Sequence, residues 1–388
     1  MRRAAIIVLD GMGVGPAKDA ATYGDAASNS LGNVAREVGG LTLPNLDALG
    51  LGYCGDIAGI GHPAPRGAAT GRCQPASQGK DSTTGHWEIC GVVLEQPFPT
   101  FPNGFPGPLL DQFSRLTGRG VLANVAGSGT DLLDDYAAAH VATGDWIVYT
   151  SADSVFQVAA HEDIVPLEEL YRACEIAREL TVPPWNVSRV IARPFSGVDG
   201  DWTRTSARKD FSLAPPSDTL LDRLEERDIP RVGVGKVDDL FADRGITSVH
   251  TPTNVEAYSL VREGLQTMDG GLLFANVIEF DQSWGHRNDV PGYVRGLEEL
   301  DRVLPDLLDA VRTDDLIIFT ADHGNDPTTP STDHSREVVP MLAYGPRVGP
   351  VDVGERVTFA DMGQTVAEFF GVPPLDHGTS FLGEIWRG

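Results

Sequence analysis

Several acidic and histidine residues that could take part in chemistry come directly after apolar, strand-like segments of this sequence. Residues 316–320 (LIIFT) are apolar and rich in β-branched side chains, which is typical of a buried strand. Asp322 and His323 come directly after this run, and His334 follows in the same stretch. Burying such groups without a partner is costly, and a bound cation is the simplest shared partner. Carboxylate with imidazole is a ligand set suited to manganese, zinc or iron, and less so to calcium.

Two other apolar runs end in the same way. Residues 4–9 end at Asp10, and residues 272–280 end at Asp281. For a single Asp or His, a helix cap or a surface position is the simpler interpretation. In an open parallel sheet, however, ligands bind outside the carboxyl ends of the strands, so three such strands would bring three carboxylates to one edge. The repetition predicts a site for two metal ions, with these candidate ligands: Asp10, Asp281, His286, Asp322, His323 and His334.

Composition and charge limit the classes of partner. The 388 residues are 41% hydrophobic and carry a formal net charge of −25, so a nucleic acid would be repelled. An anionic substrate would therefore need a local positive site built from metals and arginines. The four cysteines show no CxxC spacing, and no stretch approaches transmembrane length. We expect a cytoplasmic protein with reduced thiols and no membrane partner, and we assume a monomer because nothing in the sequence indicates an oligomer.

Strand-like and helix-like segments alternate along most of the chain, which predicts an α/β fold with a doubly wound, mostly parallel sheet. Two proline-rich stretches, residues 97–108 and 214–216, interrupt this alternation. We interpret them as domain crossings. The predicted organisation is a core formed by residues 1–97 and 214–388, with a smaller α+β cap domain inserted at 98–213. All six candidate metal ligands fall in the core.

A cluster of hydroxyls supplies candidate nucleophiles. Ser82, Thr83 and Thr84 precede Gly85 and His86, and a hydroxyl at a helix N-terminus facing a metal could attack a phosphoryl group. Paired metals at a sheet edge commonly assist such in-line displacements. The alternative is that these residues only cap a helix over residues 86–92.

Several segments together resemble the bacterial phosphopentomutase family of the alkaline phosphatase superfamily. They are GKDSTTGHWEICG, EFDQSWGHRNDVPGY and TADHGNDPTTPSTDHSREVVPMLAYGP, and the likeness runs nearly the whole length. The resemblance implies an inserted cap domain, two Mn²⁺ ions and a phosphorylated threonine at Thr84. One ion is implied to be held by Asp10, Thr84, Asp322 and His323, and the other by Asp281, His286 and His334. Ser82 and Thr83 depart from the expected motif, so Ser82 is a competing hydroxyl. His86 either orients Thr84 or a phosphate oxygen, or is simply packed.

The resemblance also implies which residues contact the substrate. A guanidinium binds phosphate through two parallel hydrogen bonds, which favours arginines for this role. Arg204 and Arg208 are weaker candidates. The residues implied, in the insert and then in the core, are Ser151, Asp153, Val155, Arg189, Ile191, Arg193 and Lys236.

The implied activity is interconversion of ribose 1-phosphate or its 2-deoxy analogue with the 5-phosphate, in nucleoside salvage and catabolism. A bisphosphorylated sugar is the implied intermediate, and a sugar bisphosphate such as glucose 1,6-bisphosphate is the implied activator. A phosphatase or phosphodiesterase could use the same site, but an insert of this size would exclude water and favours transfer. The related cofactor-independent phosphoglycerate mutases are longer and use serine. The alternative that is not an enzyme is a non-catalytic metal-binding or scaffold protein, in which the metals would be only structural.

Overall fold

The structure is a computed structural model that describes residues 2–63, 67–127, 129–151 and 153–387. It divides into two compact units. One comprises Met1–Pro97 with Pro215–Gly388, and the other is Phe98–Ala214. The proline-rich stretches had placed the divisions at 97/98 and 213/214. We describe each unit by itself.

Strands and helices alternate through the described residues. The strands are, in chain order, β1 (Arg3–Leu9), β2 (Ala68–Cys73), β3 (Val121–Ala126), β4 (Trp146–Thr150), β5 (Val155–His161), β6 (Arg189–Val198), β7 (Asp201–Arg204), β8 (Lys209–Ser212), β9 (Arg231–Val234), β10 (Ser248–Val249), β11 (Gly271–Val277), β12 (Leu316–Thr320), β13 (Val339–Tyr344) and β14 (Asp352–Arg356). The α-helices are α1 (Ser30–Glu37), α2 (Pro44–Leu49), α3 (Ser82–Ile89), α4 (Gly107–Thr117), α5 (Gly129–Thr143), α6 (Leu167–Leu180), α7 (Leu220–Glu225), α8 (Val237–Leu240), α9 (Asn254–Thr267), α10 (Val290–Asp309), α11 (Ala360–Phe370) and α12 (Leu382–Ile385). Within these described ranges, no helix is both long and apolar enough to cross a bilayer.

The core unit is built on one sheet in the strand order β10-β9-β11-β1-β12-β13-β2-β14. Its described pairings are parallel except at β13, which runs antiparallel to both β12 and β2. The prediction of a mostly parallel α/β sheet is confirmed. Such sheets carry helices on their faces, which explains why the central strands are mostly apolar rather than alternating.

Strand β1 lies in the middle of the strands that carry the candidate ligands. All seven of its residues are buried, and it pairs in parallel with β11 on one side and β12 on the other. Val8 lies opposite Asn276 of β11 and Thr320 of β12, so the three strands finish at nearly the same level. The carboxyl ends of these strands therefore form one edge of the sheet, as the sequence predicts.

One apolar run extends beyond its strand. The strand predicted at 272–278 is observed at Gly271–Val277, and Phe280–Trp284 then forms a π-helical turn. Only the expectation that Asp281 directly follows the strand is wrong, and a tertiary contact accounts for the difference. The Glu279 carboxylate accepts a hydrogen bond from Asn254 N at 2.6 Å, and Asn254 Oδ1 accepts one from Glu279 N at 2.9 Å. This exchange at the start of α9 turns the chain, so Asp281 lies on a turn rather than directly at a strand end.

The second unit contains a smaller mixed sheet in the order β3-β4-β5-β6-β7, with β8 paired to β6. Helices α4 and α6 pack on one face, around Phe113, Trp146 and Phe156. Helix α5 contributes Leu133 to an apolar cluster on the other face. Strand β5 was not predicted, because polar Gln157 interrupts its apolar pattern, although this side chain is buried.

Candidate active site

The six predicted metal ligands lie together at the carboxyl edge of the core sheet. His323 Nε2 lies 3.3 Å from Asp10 Oδ1 and 3.5 Å from Asp322 Oδ2. Asp281 contacts the other two histidines through its two carboxylate oxygens. His286 Nε2 lies 3.1 Å from Asp281 Oδ2, and His334 Nε2 lies 3.3 Å from Asp281 Oδ1. The His323 and His334 ring centroids are only 4.0 Å apart. Residues separated by more than three hundred positions thus share one cluster.

The cluster separates into two ligand sets that share one residue. Asp281, His286 and His334 offer ligand atoms within 4.8 Å of one another, and so do Asp10, Asp281 and His323. Asp322 lies beside the second set, in contact with His323. Carboxylate and imidazole donors at this spacing suit transition-metal ions, and two adjacent sets suit a metal pair.

Two buried oxygens support the fit of a cation. Asp10 Oδ1 and Asp322 Oδ2 accept no well-directed hydrogen bond within the described part of the chain, although imidazole nitrogens lie close to both. The two side chains are 6% and 2% exposed, so water does not compensate them. A buried carboxylate oxygen without a partner is costly, and a metal ion between these strands would satisfy both.

Without metal, charge in the cluster is balanced by protons on the histidines. Burial works to lower the pKa of His286, but its hydrogen bond to Asp281 and the charge of that carboxylate raise it to about 9. Burial also opposes protonation of His323, and Asp322 and Asp10 outweigh it, so this pKa is well above its usual range. Burial would raise the pKa of Asp281, but His334 and His286 hold it well below the ordinary value. The metal-free site therefore favours imidazolium beside carboxylate.

Metal binding should consequently release protons. A metal ligand must be a neutral imidazole, so at pH 7 an ion has to displace the protons on His286 and His323. Because both pKa values are raised, affinity for Mn²⁺ should climb as pH rises from 6 toward 9. Calorimetric titration of the metal-free protein in buffers of different ionisation enthalpy would measure this directly. We expect about two protons released per filled site pair at pH 7; no release would contradict the assignment of these histidines.

Asn276 and His86 connect the ligands of adjacent strands. Asn276 Nδ2 donates to Asp10 Oδ2 at 3.0 Å and lies 3.3 Å from His86 Nε2. The His86 ring is fully buried, and its Nδ1 lies 2.9 Å from Ser82 O and 3.1 Å from Asp322 Oδ2. The sequence predicts that His86 either orients Thr84 or a phosphate oxygen or is simply packed. In the described part of the chain its ring contacts Asp322, Asn276 and the Ser82 carbonyl, so it contacts a predicted metal ligand rather than Thr84. The proton belongs on Nδ1, because Nε2 faces an amide N–H.

Two asparagines that contact the ligands were missed from the sequence. Asn276 is the polar residue within an otherwise apolar buried strand, and that interruption was a usable signal. Asn325 donates from Nδ2 to Asp281 Oδ1 at 2.7 Å and is fully buried. It stands in the HGND turn, where an asparagine usually indicates only a turn. Both residues fix carboxylates that would otherwise be free to rotate.

Thr84 lies in the first turn of α3. The helix begins at Ser82 with Asp81 as its N-cap, so the alternative of a helix over 86–92 was wrong. Thr84 lines one cavity with Asp322 and His323. Its Oγ1 donates to Asp81 Oδ2 at 2.6 Å, whereas Ser82 Oγ lies 3.0 Å from His323 Nε2. Two of the three hydroxyls of the predicted cluster, those of Ser82 and Thr84, thus lie near the ligands and take part in different hydrogen bonds.

The loop that leads to Thr84 is held by two buried charges. Arg336 donates to the carbonyl oxygens of Pro75, Ser77 and Gly79, at 3.1, 2.6 and 2.6 Å. Glu88, on α3 itself, accepts from Ala76 N and Ser77 N at 2.8 and 2.7 Å. The Arg336 guanidinium thus binds carbonyl oxygens of the loop, and the Glu88 carboxylate binds its amide N–H groups. Because both sides of the backbone are hydrogen-bonded, the loop has little conformational freedom. Arg336 follows His334 closely in sequence, which ties this loop to the metal ligands.

In the second unit, the predicted substrate residues share one face of the sheet. Arg189, Ile191 and Arg193 alternate along β6, which puts them on the same side. Val155 of β5 lies opposite Arg189 in the parallel register. Asp153, in the loop before β5, lies 4.0 Å from Arg189. Val155 and Ile191 are both 2% exposed, so they form the floor of this face while the arginines reach beyond it.

Positive charge gathers on that face. Burial lowers the pKa of Arg193 to about 10, and the nearby cation of Arg208 contributes. Asp210 lies 3.5 Å from Arg189 and 2.7 Å from Arg208, and these cations hold the pKa of this carboxyl low against its burial. The guanidiniums outnumber the carboxylates here, which suits an anionic ligand.

The remaining predicted residues occupy two places. Ser151 directly follows β4 in the second unit. Lys236 is in the core unit, immediately before α8, and its Nζ contacts Gln282 Oε1. Gln282 adjoins Asp281, so this lysine stands next to the metal-ligand turn.

Comparisons with known proteins identify the family of this chain. The family model of the Metalloenzyme superfamily matches residues 2–374. The phosphopentomutase of Anaeromyxobacter sp. strain K is 54% identical over 100% of both chains, and that of Thermotoga maritima is 52% identical over 99% of this chain and 100% of its own. Among solved structures, Leishmania mexicana phosphoglycerate mutase has the same fold, with a TM-score of 0.50 at 14% identity, covering 100% of this chain and 98% of that one.

Fold and family model define an α/β enzyme of the metalloenzyme class. The chain belongs to the Metalloenzyme superfamily and, within it, to the phosphopentomutase family. The resemblance drawn from the sequence motifs is confirmed.

Proposed function

We propose that this enzyme interconverts ribose 1-phosphate, or its 2-deoxy analogue, with the corresponding 5-phosphate through a phosphothreonine at Thr84. Its family consists of isomerases of this name, which supports the overall reaction. The observation that carries the proposal is the meeting of two metal-ligand sets with Thr84 at one edge of the sheet. Phosphoryl transfer needs such a combination of an oriented hydroxyl and concentrated positive charge.

The reaction would proceed in two transfers. Phosphorylated Thr84 gives its phosphoryl group to the free hydroxyl of the sugar phosphate, which produces a bisphosphorylated sugar. That sugar reorients, and its other phosphate returns to Thr84. Two Mn²⁺ ions, when bound, would neutralise charge on the transferring group. Asp10, Thr84, Asp322 and His323 would hold one ion, and Asp281, His286 and His334 would hold the other. The Asp281 carboxylate also lies within ligand spacing of Asp10 and His323.

Recognition of the sugar phosphate is assigned to the face of the second unit described above. Arg189 and Arg193 would bind the phosphate, since a guanidinium matches two phosphate oxygens at once. The short side chains of Ser151 and Asp153 would bind sugar hydroxyls. Val155 and Ile191 would limit the size of the sugar, and Lys236 would supply a point charge from the core unit.

Three further parts of the proposal follow from the assigned reaction. A sugar bisphosphate such as glucose 1,6-bisphosphate would phosphorylate Thr84 initially. The physiological setting would be nucleoside salvage and catabolism in the cytoplasm. A hydrolase is the competing function, because the same metals could direct water at a phosphorus atom.

Phosphorus NMR distinguishes these functions in one experiment. The Mn²⁺-loaded enzyme is given ribose 1-phosphate with a trace of glucose 1,6-bisphosphate, then stripped of metal before spectra are recorded. We expect the 1-phosphate resonance to be replaced by that of the 5-phosphate, without matching release of inorganic phosphate. A sample treated with chelator from the start should not react. Accumulation of inorganic phosphate as the main product would contradict the proposal and indicate a phosphatase.

A further inference from the structure

The Arg336 guanidinium has all five of its N–H groups bound within the protein. Nε and Nη2 donate to the two carboxylate oxygens of Asp19, both at 3.0 Å. Nη1 donates to Ser77 O and Gly79 O, and Nη2 also donates to Pro75 O. The side chain is buried as well. This arginine therefore has no donor left for a substrate phosphate, although it lies close to the candidate site.

Three of these bonds go to one short segment, residues 75–81, which we call the nucleophile loop. It runs directly into α3, whose first turn carries Thr84. Carbonyl oxygens of alternate loop residues turn toward the same guanidinium, as they would around a bound cation. The Tyr23 ring covers that guanidinium, with its centroid 5.0 Å from Arg336 Cζ. A permanent charge thus fixes the path of the backbone that leads to Thr84.

A second set of contacts joins the nucleophile loop to the segment that carries His334. Lys80 Nζ, in the loop, lies 3.1 Å from Asp25 Oδ2 and 3.3 Å from Asp333 Oδ2. Arg336 N donates to the same Asp25 oxygen at 2.9 Å. Asp333 and Arg336 stand on either side of His334 in the sequence, so the loop is bound on both sides of a candidate metal ligand. These contacts couple the placement of the hydroxyl to that of the ligands.

We propose that Arg336 is a positioning residue for phosphoryl transfer, an inference that rests on the phosphothreonine route proposed above. It does not touch the substrate. It holds the nucleophile loop so that Thr84 Oγ1 stands where it can attack phosphorus in line. A misplacement of about 1 Å at a reacting atom can slow a reaction by about 100-fold. Loss of the Arg336 contacts should therefore lower the rate of transfer without changing how tightly the sugar bisphosphate binds.

Lysine is the informative substitution at this position. It keeps the positive charge, but its three donors share one nitrogen and cannot reach a carboxylate and three carbonyl oxygens together. Arg3→Lys is the matched control. Arg3 is as deeply buried as Arg336, and it likewise donates to one carboxylate, that of Asp315, and to backbone carbonyl oxygens. It stands at the amino end of β1, however, whereas the candidate site lies at the carboxyl end.

The test measures phosphorylation of the full-length, Mn²⁺-loaded protein after rapid mixing with glucose 1,6-bisphosphate at several concentrations. Intact mass at timed quenches gives the rate and the final extent, and peptide mapping gives the site. We expect Arg336→Lys to reach the wild-type extent at Thr84, with a maximal rate about 100-fold lower and an unchanged half-saturating concentration. Arg3→Lys should react at the wild-type rate even if it unfolds at a lower temperature. A merely structural role would reduce the extent and not the rate.

Each other outcome overturns the inference. A wild-type maximal rate in Arg336→Lys would show that the loop does not depend on the guanidinium. A raised half-saturating concentration would indicate a role in binding, and a lower Mn²⁺ content a role in the metal site. Should Arg336→Lys fail to fold, Asp19→Ala replaces it; this variant removes the carboxylate that orients the guanidinium and must also be slow. A wild-type protein that takes up no phosphoryl group at Thr84 would instead refute the proposed function, and that result is visible without any variant.

Discussion

Replacing Thr84 by alanine should abolish phosphoryl uptake and isomerase activity while leaving the six aspartate and histidine ligands able to bind metal. We expect a loss of roughly 10⁴-fold or more, the scale seen when an enzyme loses its nucleophile. Thr84 Oγ1 bonds to Asp81 and not to any of the six candidate metal ligands in the hydrogen bonds of the structure, so its removal should not disturb them. Activity would be followed from ribose 1-phosphate, and Mn²⁺ content by calorimetry.

Two companion variants make this prediction specific. Thr84→Ser keeps the hydroxyl and its bond to Asp81, so it should recover most of the activity. Ser82→Ala removes the competing hydroxyl, which lies 3.0 Å from His323 Nε2. If Thr84→Ala still takes up a phosphoryl group and Ser82→Ala does not, then Ser82 is the nucleophile and our assignment is wrong.

Replacing Asp281 should cost both metal ions, whereas replacing His286 should cost one. Asp281 belongs to both ligand sets, with one oxygen near His334 and the other near His286. In Asp281→Asn, both ligand sets lose the carboxylate that they share. Losing only the hydrogen-bond partner of a ligand lowers metal affinity by roughly 10- to 100-fold, so losing this ligand should lower Mn²⁺ affinity by more than that. His286 belongs to one set only, so His286→Ala should leave the Asp10–His323 set able to bind.

Calorimetry with Mn²⁺ would count the ions in each variant. We expect about two per wild-type chain, about one for His286→Ala and close to none for Asp281→Asn. Asp306→Asn is the control, because its carboxylate is exposed on α10 and only loosely paired with Arg262 at 3.8 Å. Equal metal content in Asp281→Asn and His286→Ala would show that Asp281 does not bridge the two sets.

The ligands could be identified from sequence because they obey a local rule. Asp10 and Asp322 come within two residues of apolar strands, and the level at which parallel strands end is set by their pairing. The fold class followed from the same alternation of strands and helices. Thr84 was identifiable only through its motif, since hydroxyl clusters are common in loops.

The features of the site that could not be predicted from the sequence depend on contacts between distant segments. The turn at Asp281 comes from hydrogen bonds between Asn254 and Glu279, which no periodicity records. Arg336 was not singled out from the sequence, yet it is 2% exposed and donates to the backbone of a loop more than two hundred residues earlier. Pairing of Asp81 with Thr84 likewise required knowing that α3 begins at Ser82 and not later.

The position of β1 has a consequence for synthesis of the chain. This strand is translated before its neighbours in the sheet, β11 and β12, which lie more than two hundred residues later in the chain. Until residue 320 has emerged, both edges of this mostly apolar strand lack their native partners, and such edges invite aggregation. We therefore expect chaperones or transient non-native contacts to shield it. The full set of metal ligands can form only after His334 has been translated.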